Sequence, residues 1–309
     1  MIRRLIVAVV VLAVVAAVIL WFLTAPKSFA EADLPDHTPD LANGETMFWA
    51  GGCESCHAAP DATGDDLLKL GGGLAMATPF GTFNVPNISP DETAGIGSWS
   101  TADFVGALKY GVGKGGVHLY PAFPYTSYQR MKVEDIIDLK AFMDTLPPVE
   151  NVVADHELGF PFNIRRGLGL WQLAFAGNGT FIPDPQASDQ INRGAYLVEG
   201  PGHCGECHTP RNMAGATIAD RAYSGGPAPE GDGTIPNITP DPETGIGSWS
   251  EDDLVTFFKT GFTPDFDSVG STMAPVQRNL AMLSDEDIAA IAAYLKTLPA
   301  IASEPEPAS

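Results

Sequence analysis

The chain repeats itself once, and the repeat limits how its length can be used. Pro86-Asn87-Ile88-Ser89-Pro90-Asp91, followed by Gly95-Ile96-Gly97-Ser98-Trp99-Ser100, returns as Pro236-Asn237-Ile238-Thr239-Pro240-Asp241, followed by Gly245-Ile246-Gly247-Ser248-Trp249-Ser250. Nearly the same shift relates Cys53 to Cys204 and Thr145-Leu146-Pro147 to Thr297-Leu298-Pro299. Only small insertions separate the copies. Each copy is therefore one domain, and the 309 residues divide into two modest cores.

Both copies end in an amphipathic helix: Ile136, Leu139, Met143 and Leu146 in the first match Ile288, Ile291, Leu295 and Leu298 in the second. Spacings of three and four place each set on one face. Ser284 with Asp287 resembles a capping box at the start of the second of these helices. A short helix is predicted before each cysteine pair, around Gly44 to Trp49 and Gly194 to Glu199. The middles are rich in Gly, Pro, Asn and Asp and read as loops, which need a surface to pack on. The sequons at Asn87 and Asn237 belong to these repeated loops. The fold expected is all-α, with two tandem domains after an N-terminal transmembrane helix. The boundaries are 1–27 for a membrane anchor, 38–149 for the first domain, 150–188 for a connector, 189–301 for the second domain and 302–309 for a disordered tail. The connector carries Phe160, Phe162, Trp171, Phe175 and Phe181, so it is expected to pack on the domains.

Residues 5–23 contain no charge and follow Arg3 and Arg4. About 19 residues make roughly 28 Å of helix, enough to cross a bilayer core. Ser28-Phe29-Ala30 offers a cleavable-signal alternative. The two arginines before the span and the lone Lys27 after it put the N-terminus in the cytoplasm and the domains outside, in the periplasm. With 17 Lys and Arg against 38 Asp and Glu, the net charge of −21 argues against nucleic-acid binding and favours a partner with a basic surface.

The four cysteines fall in two pairs, Cys53-Glu54-Ser55-Cys56-His57 and Cys204-Gly205-Glu206-Cys207-His208. C-x-x-C-H is the pattern for covalent attachment of haem c: two thiols one helical turn apart each bond a vinyl group, and the adjacent histidine sits under the iron. A zinc ribbon would need its pairs far closer in sequence, and a thioredoxin-like pair would stand in a β-α-β setting. Two covalently bound haem c groups are thus predicted, tethered by Cys53, Cys56, Cys204 and Cys207, with His57 and His208 as iron ligands. Methionine before the last helix is a common distal ligand. Met273 takes that place in the second domain, and Met282, against the helix start, reads as core. In the first domain the equivalent position falls on Phe123, Ala122 or Pro121, none of which binds iron. Met131 is the leading candidate there, with His118, Met76 and an open iron as alternatives. Trp99 and Trp249 are candidates to donate an indole N–H to a haem propionate or to serve as apolar cover.

His118-Leu119-Tyr120-Pro121-Ala122-Phe123-Pro124-Tyr125, Phe160-Pro161-Phe162-Asn163, Arg193-Gly194-Ala195-Tyr196-Leu197-Val198-Glu199-Gly200 and Cys207-His208-Thr209-Pro210-Arg211-Asn212 resemble the cytochrome c subunits of bacterial membrane-bound alcohol dehydrogenases. The resemblance implies cytochrome c domains that take electrons from a dehydrogenase donor and pass them to quinone or a terminal acceptor, such as an oxidase or other cytochrome. Those subunits have three haem motifs where this chain has two, and often have methionine where Phe123 stands. The competing expectation is a haem enzyme, peroxidase-like or a small-molecule oxidase, with an open first haem.

Overall fold

The computed structural model describes residues 1–177, 179–229, 233–270 and 272–303. Helix α1, Ile2–Leu23, has none of its residues buried, and its most apolar 18-residue stretch has a mean hydropathy of 3.3. Its 22 residues are long and apolar enough to cross a membrane.

Among the described residues, two sets of five helices follow. The first is α2 (Leu41–Ala50), α3 (Cys53–His57), α4 (Thr101–Tyr110), α5 (Tyr125–Tyr128) and α6 (Val133–Met143). A connector helix, α7 (Leu168–Phe175), precedes the second set: α8 (Asp189–Glu199), α9 (Cys204–His208), α10 (Glu251–Thr260), α11 (Met273–Leu280) and α12 (Asp285–Thr297). The molecule is helix-rich but not all-α. Short antiparallel strands occupy the loops: β1 (Ala75–Thr78), β2 (Gly81–Asn84), β3 (Val112–Gly113), β4 (Val117–His118), β5 (Glu157–Leu158), β6 (Gly226–Pro227) and β7 (Thr234–Ile235). Pro79 and Phe80 turn the chain between β1 and β2 where the composition had suggested only loop, and Gly81, at φ +124, opens β2 where a Cβ would lie 2.3 Å from Glu157 O. Strand β5 comes from the connector and extends this sheet. Of the expected tail, residues 304–309 lie outside the described residues.

The first and last helices of each set cross at a glycine. A Cβ on Gly44 would lie 2.2 Å from the Asp138 carbonyl oxygen, and one on Gly194 would lie 1.9 Å from that of Ala290. Backbone therefore meets backbone at both crossings. The stripe residues Ile136, Leu139, Met143 and Leu146 are buried behind the first crossing, and Ile288, Ile291 and Leu295 behind the second. Met282, expected in the core, is 57% exposed; its neighbour Leu283 turns inward instead and fills that place at 6% exposure.

Local chemistry fixes the helix ends. Ser100 with Asp103 and Ser250 with Asp253 form complete capping boxes, one in each repeated loop. At α12 only half of the expected box forms. Ser284 accepts from the Asp287 N–H at 3.1 Å, but the Asp287 carboxylate is taken by Arg193 of α8 in a two-point ion pair at 2.7 and 2.9 Å. The Asn87 and Asn237 side chains are buried, and their amides donate to Val149 O at 2.6 Å and Ile301 O at 2.7 Å. Each repeated loop is thereby clasped to the chain that leaves the last helix.

Asp138 ties the chain ahead of α2 to α6. It accepts from Asn43 Nδ2 at 2.7 Å and the Asp40 N–H at 2.8 Å, and it pairs with His37 Nε2 at 2.6 Å. Burial alone would push its carboxyl pKa up, but the three hydrogen bonds outweigh it and hold the pKa below 3.8. The hydrogen bond to Asp138 raises His37 above 6.5. The histidine's share of stability is present below 6.5 and is lost as pH rises through its folded pKa; the carboxylate's share is present above 3.8 and is lost on acidification through its lowered pKa. An NMR titration of His37 is expected to give a midpoint above 6.5 that falls back toward 6.5 in Asp138→Asn. An unshifted midpoint in the parent protein would show the pair absent in solution.

Candidate functional site

Each C-x-x-C-H segment is a single short helix, α3 or α9, entered through a left-handed residue: Gly52 at φ 56 and His203 at φ 38. That turn lets the chain reverse from the preceding helix, α2 or α8, into the attachment helix. Cys53 and Cys204 are half-buried, while Cys56 and Cys207 are exposed.

The histidines show what the repeated Pro-Asn-Ile loop does. His57 Nδ1 lies 2.8 Å from Pro86 O, and His208 Nδ1 lies 2.8 Å from Pro236 O. A carbonyl only accepts, so Nδ1 carries the proton in both rings, leaving each Nε2 with a lone pair. The backbone reinforces the arrangement: the Gly72 and Gly225 N–H groups donate to the carbonyls of His57 and His208 at 2.7 and 2.8 Å. Burial among neighbouring atoms pulls the His57 pKa down to about 4 and lowers that of His208 also. Neutral imidazoles with oriented Nε2 atoms, each beside two thiols spaced one turn apart, fit the donor set that haem c requires. The repeat was legible in the sequence, but the Pro86 and Pro236 carbonyls as orienting acceptors were not.

The candidate distal residues are scattered. Met273 begins α11 and is half-buried. Phe123, one of the three residues that the repeat sets against Met273, has its ring 5.4 Å from that of Tyr128. Tyr128 in turn donates to Gly51 O at 3.0 Å, two residues before Cys53. Met131 is fully buried, and a Cβ on Gly200 of the second domain would lie 3.8 Å from its Cγ. His118 is buried with Nε2 3.0 Å from Thr24 O, against the end of α1. Met76 sits in β1 opposite Phe83. Trp99 and Trp249 are half-buried against the core, the latter edge-on to Phe257 at 5.5 Å.

Sequence reading did not reveal how the two attachment helices relate to each other. Each is gripped by the helix before the last of the opposite domain. Thr126 and Ser127 of α5 donate to Glu206 Oε1 of α9, the latter at 3.0 Å. Asn279 of α11 donates to Ser55 Oγ of α3 at 2.7 Å. Glu54 is buried beneath α11, where burial raises its pKa despite Arg278 and Asn279. Thr126-Ser127 and Arg278-Asn279 occupy equivalent positions of the repeat, as do Ser55 and Glu206. The contacts are thus reciprocal, as across a local two-fold axis. Near that axis Gly51 O also receives His203 Nε2 at 3.2 Å.

Comparison with known proteins agrees with this geometry. The family model described as cytochrome c matches twice, over residues 41–147 and 191–299. The chain is 52% identical over 282 residues to a diheme c-type cytochrome of Cereibacter sphaeroides, covering 91% of this chain and 93% of that one. It is 40% identical over 266 residues to the fructose dehydrogenase cytochrome subunit of Gluconobacter japonicus, covering 85% of this chain and 54% of the relative. To the cytochrome c subunit of the quinone-dependent alcohol dehydrogenase of Gluconacetobacter polyoxogenes it is 38% identical over 280 residues, covering 88% and 59%. The chain therefore spans nearly all of the first relative and little more than half of the two dehydrogenase subunits. Two matched domains, two oriented histidines and a diheme relative aligned almost end to end make this chain a member of the cytochrome c family that carries two covalently bound haem c groups.

Proposed function

We propose that this protein is a membrane-anchored carrier that moves single electrons on the periplasmic side of the cytoplasmic membrane, from a dehydrogenase or respiratory donor toward an oxidase or another cytochrome. The reciprocal grip of the two attachment helices carries the reading, because it brings the two cofactor-bearing segments of one chain against each other. Bound haem c supplies a reversible one-electron couple. The protein's own part is positional: Cys53, Cys56, Cys204 and Cys207 tether, His57 and His208 ligate from one side, and the Pro86 and Pro236 carbonyls keep the rings aimed. Helix α1 spans the membrane with Arg3 and Arg4 inside. The relatives named as dehydrogenase cytochrome subunits support a dehydrogenase as donor.

Met273 is the distal ligand proposed for the second haem and Met131 for the first. Met273→Leu is expected to convert the second haem's spectrum from low spin toward high spin and to lower its potential, while the first haem is unchanged. Met131→Leu should do the same for the first haem; loss of stability with an unaltered spectrum would instead give Met131 a packing role between the domains.

One observation favours a second reading. The positions equivalent to Met273 in the first domain fall on Phe123, Ala122 or Pro121, none of which binds iron, so a haem enzyme with an open first iron is the alternative. Reduced full-length protein exposed to carbon monoxide decides between them. Slow or negligible binding and no peroxide turnover fit the carrier; fast binding to one haem with peroxide turnover would reject it.

A further inference from the structure

One stretch of the connector is free of acidic residues in a very acidic protein. No Asp or Glu occurs between Leu158 and Asp184, while Arg165 and Arg166 do. It also carries the largest set of exposed apolar side chains outside α1. Phe160 is 81% exposed, Phe162 46%, Ile164 50%, Leu170 47%, Leu173 56% and Phe175 42%. Within α7, Leu170 and Leu173 stand three apart on one face. The opposite side is held to the domains: Gln172 Nε2 donates to Tyr110 O at 3.1 Å and Trp171 Nε1 to Ala214 O at 2.9 Å. The aromatic content predicted a connector that packs on the domains; one side of it does so, and the other is exposed.

The level of this face relative to α1 is fixed by contacts. Arg166 lies over the Trp21 ring, 4.3 Å from its centroid, and donates to Trp21 O. A Cβ on Gly169 would meet Thr24 at 2.7 Å, so α7 rests directly on the end of α1. A 22-residue helix is about 33 Å long, slightly more than the hydrocarbon core, so Trp21 and Thr24 fall at the membrane–water boundary. Whatever touches them lies in the headgroup layer.

We infer that residues 160–175 form a second membrane contact, an interfacial surface that lies on the outer leaflet and sets the orientation of the first domain above it. This rests on the reading of α1 as a membrane span. The occupant is lipid: the apolar side chains enter the acyl boundary, as in amphipathic helices that lie along a membrane, while Arg165, over the Tyr120 ring and donating to His118 O, and Arg166, on Trp21, tie the surface to the first domain and to α1. A dehydrogenase subunit seated on the same face is the rival. The lipid is favoured because the face continues from the boundary end of the span.

Photo-crosslinking in the full-length haem protein tests it, with p-benzoylphenylalanine in place of Val11, Leu173 or Phe266. Phe266 is an 88% exposed control in the second domain. In proteoliposomes of phosphatidylcholine and phosphatidylglycerol, and in native membranes, the probe at 173 is expected to label phospholipid several-fold more than the probe at 266. No lipid labelling at 173, or labelling of a protein instead in native membranes, would overturn the inference. Position 11 reports separately on the span: lipid labelling at 173 without any at 11 would reject α1 as a span and keep the surface.

Discussion

Serine at both Cys204 and Cys207 is expected to halve the haemochrome content, from two haems per chain to one. Each domain carries its own thiols, histidine and orienting carbonyl, so His57 on Pro86 does not depend on His208. The first haem should keep its absorption spectrum. The second domain is expected to lose stability with its haem, and the Glu206 contacts to Thr126 and Ser127 should loosen with it. The converse pair, Cys53→Ser with Cys56→Ser, should remove only the first haem. Retention of two haems by either double variant would refute the assignment of the motifs; loss of both would mean that the domains mature as one unit.

Gly194→Ala should destabilise the second domain by about 3 kcal/mol, at the upper end of ordinary overpacking costs. The added carbon would stand 1.9 Å from Ala290 O, and neither helix can yield without parting at the crossing. For a domain of this size such a loss lowers the unfolding midpoint by roughly 10 °C or more. Gly44→Ala should do the same in the first domain, where the distance to Asp138 O is 2.2 Å. Gly270→Ala is the control: nothing lies within 4 Å of its Cβ position, so its cost should stay below about 0.5 kcal/mol. Thermal unfolding followed at the haem absorption band measures all three, and equal midpoints for Gly194→Ala and Gly270→Ala would refute the close crossing.

Much of this architecture is legible in the residues. The apolar stripes from Ile136 and Ile288 identify the last helices because burial on one face leaves a periodic trace. The C-x-x-C-H pairs identify the cofactor because covalent chemistry tolerates little variation in spacing. Ser100 and Ser250 each have Asp three residues later, a capping-box spacing that was read only at Ser284. Other features leave no such trace. Pro86 and Pro236 act through carbonyl oxygens, which every residue has, so side-chain identity does not announce them. Met282 and Leu283 are both apolar, and only the turn before α12 decides which of them faces inward. The grip of α5 and α11 on the opposite attachment helices joins residues as distant as Ser55 and Asn279, and a single sequence contains no signal for such a pairing.

The helix crossings at Gly44 and Gly194 also govern the order of events during synthesis. Each joins the first helix of a domain to its last, roughly a hundred residues later, so closure is a long-range step and cannot precede completion of that domain. Until α6 or α12 has emerged, α2 or α8 has nothing to cross, and the cysteines just beyond it remain on an open chain. The topology thus provides an interval in which the thiols are accessible to the attachment machinery, and it ends that interval by folding. Variants that slow the crossing should lengthen it, so a weakened Gly194 contact will show itself in stability more than in haem content.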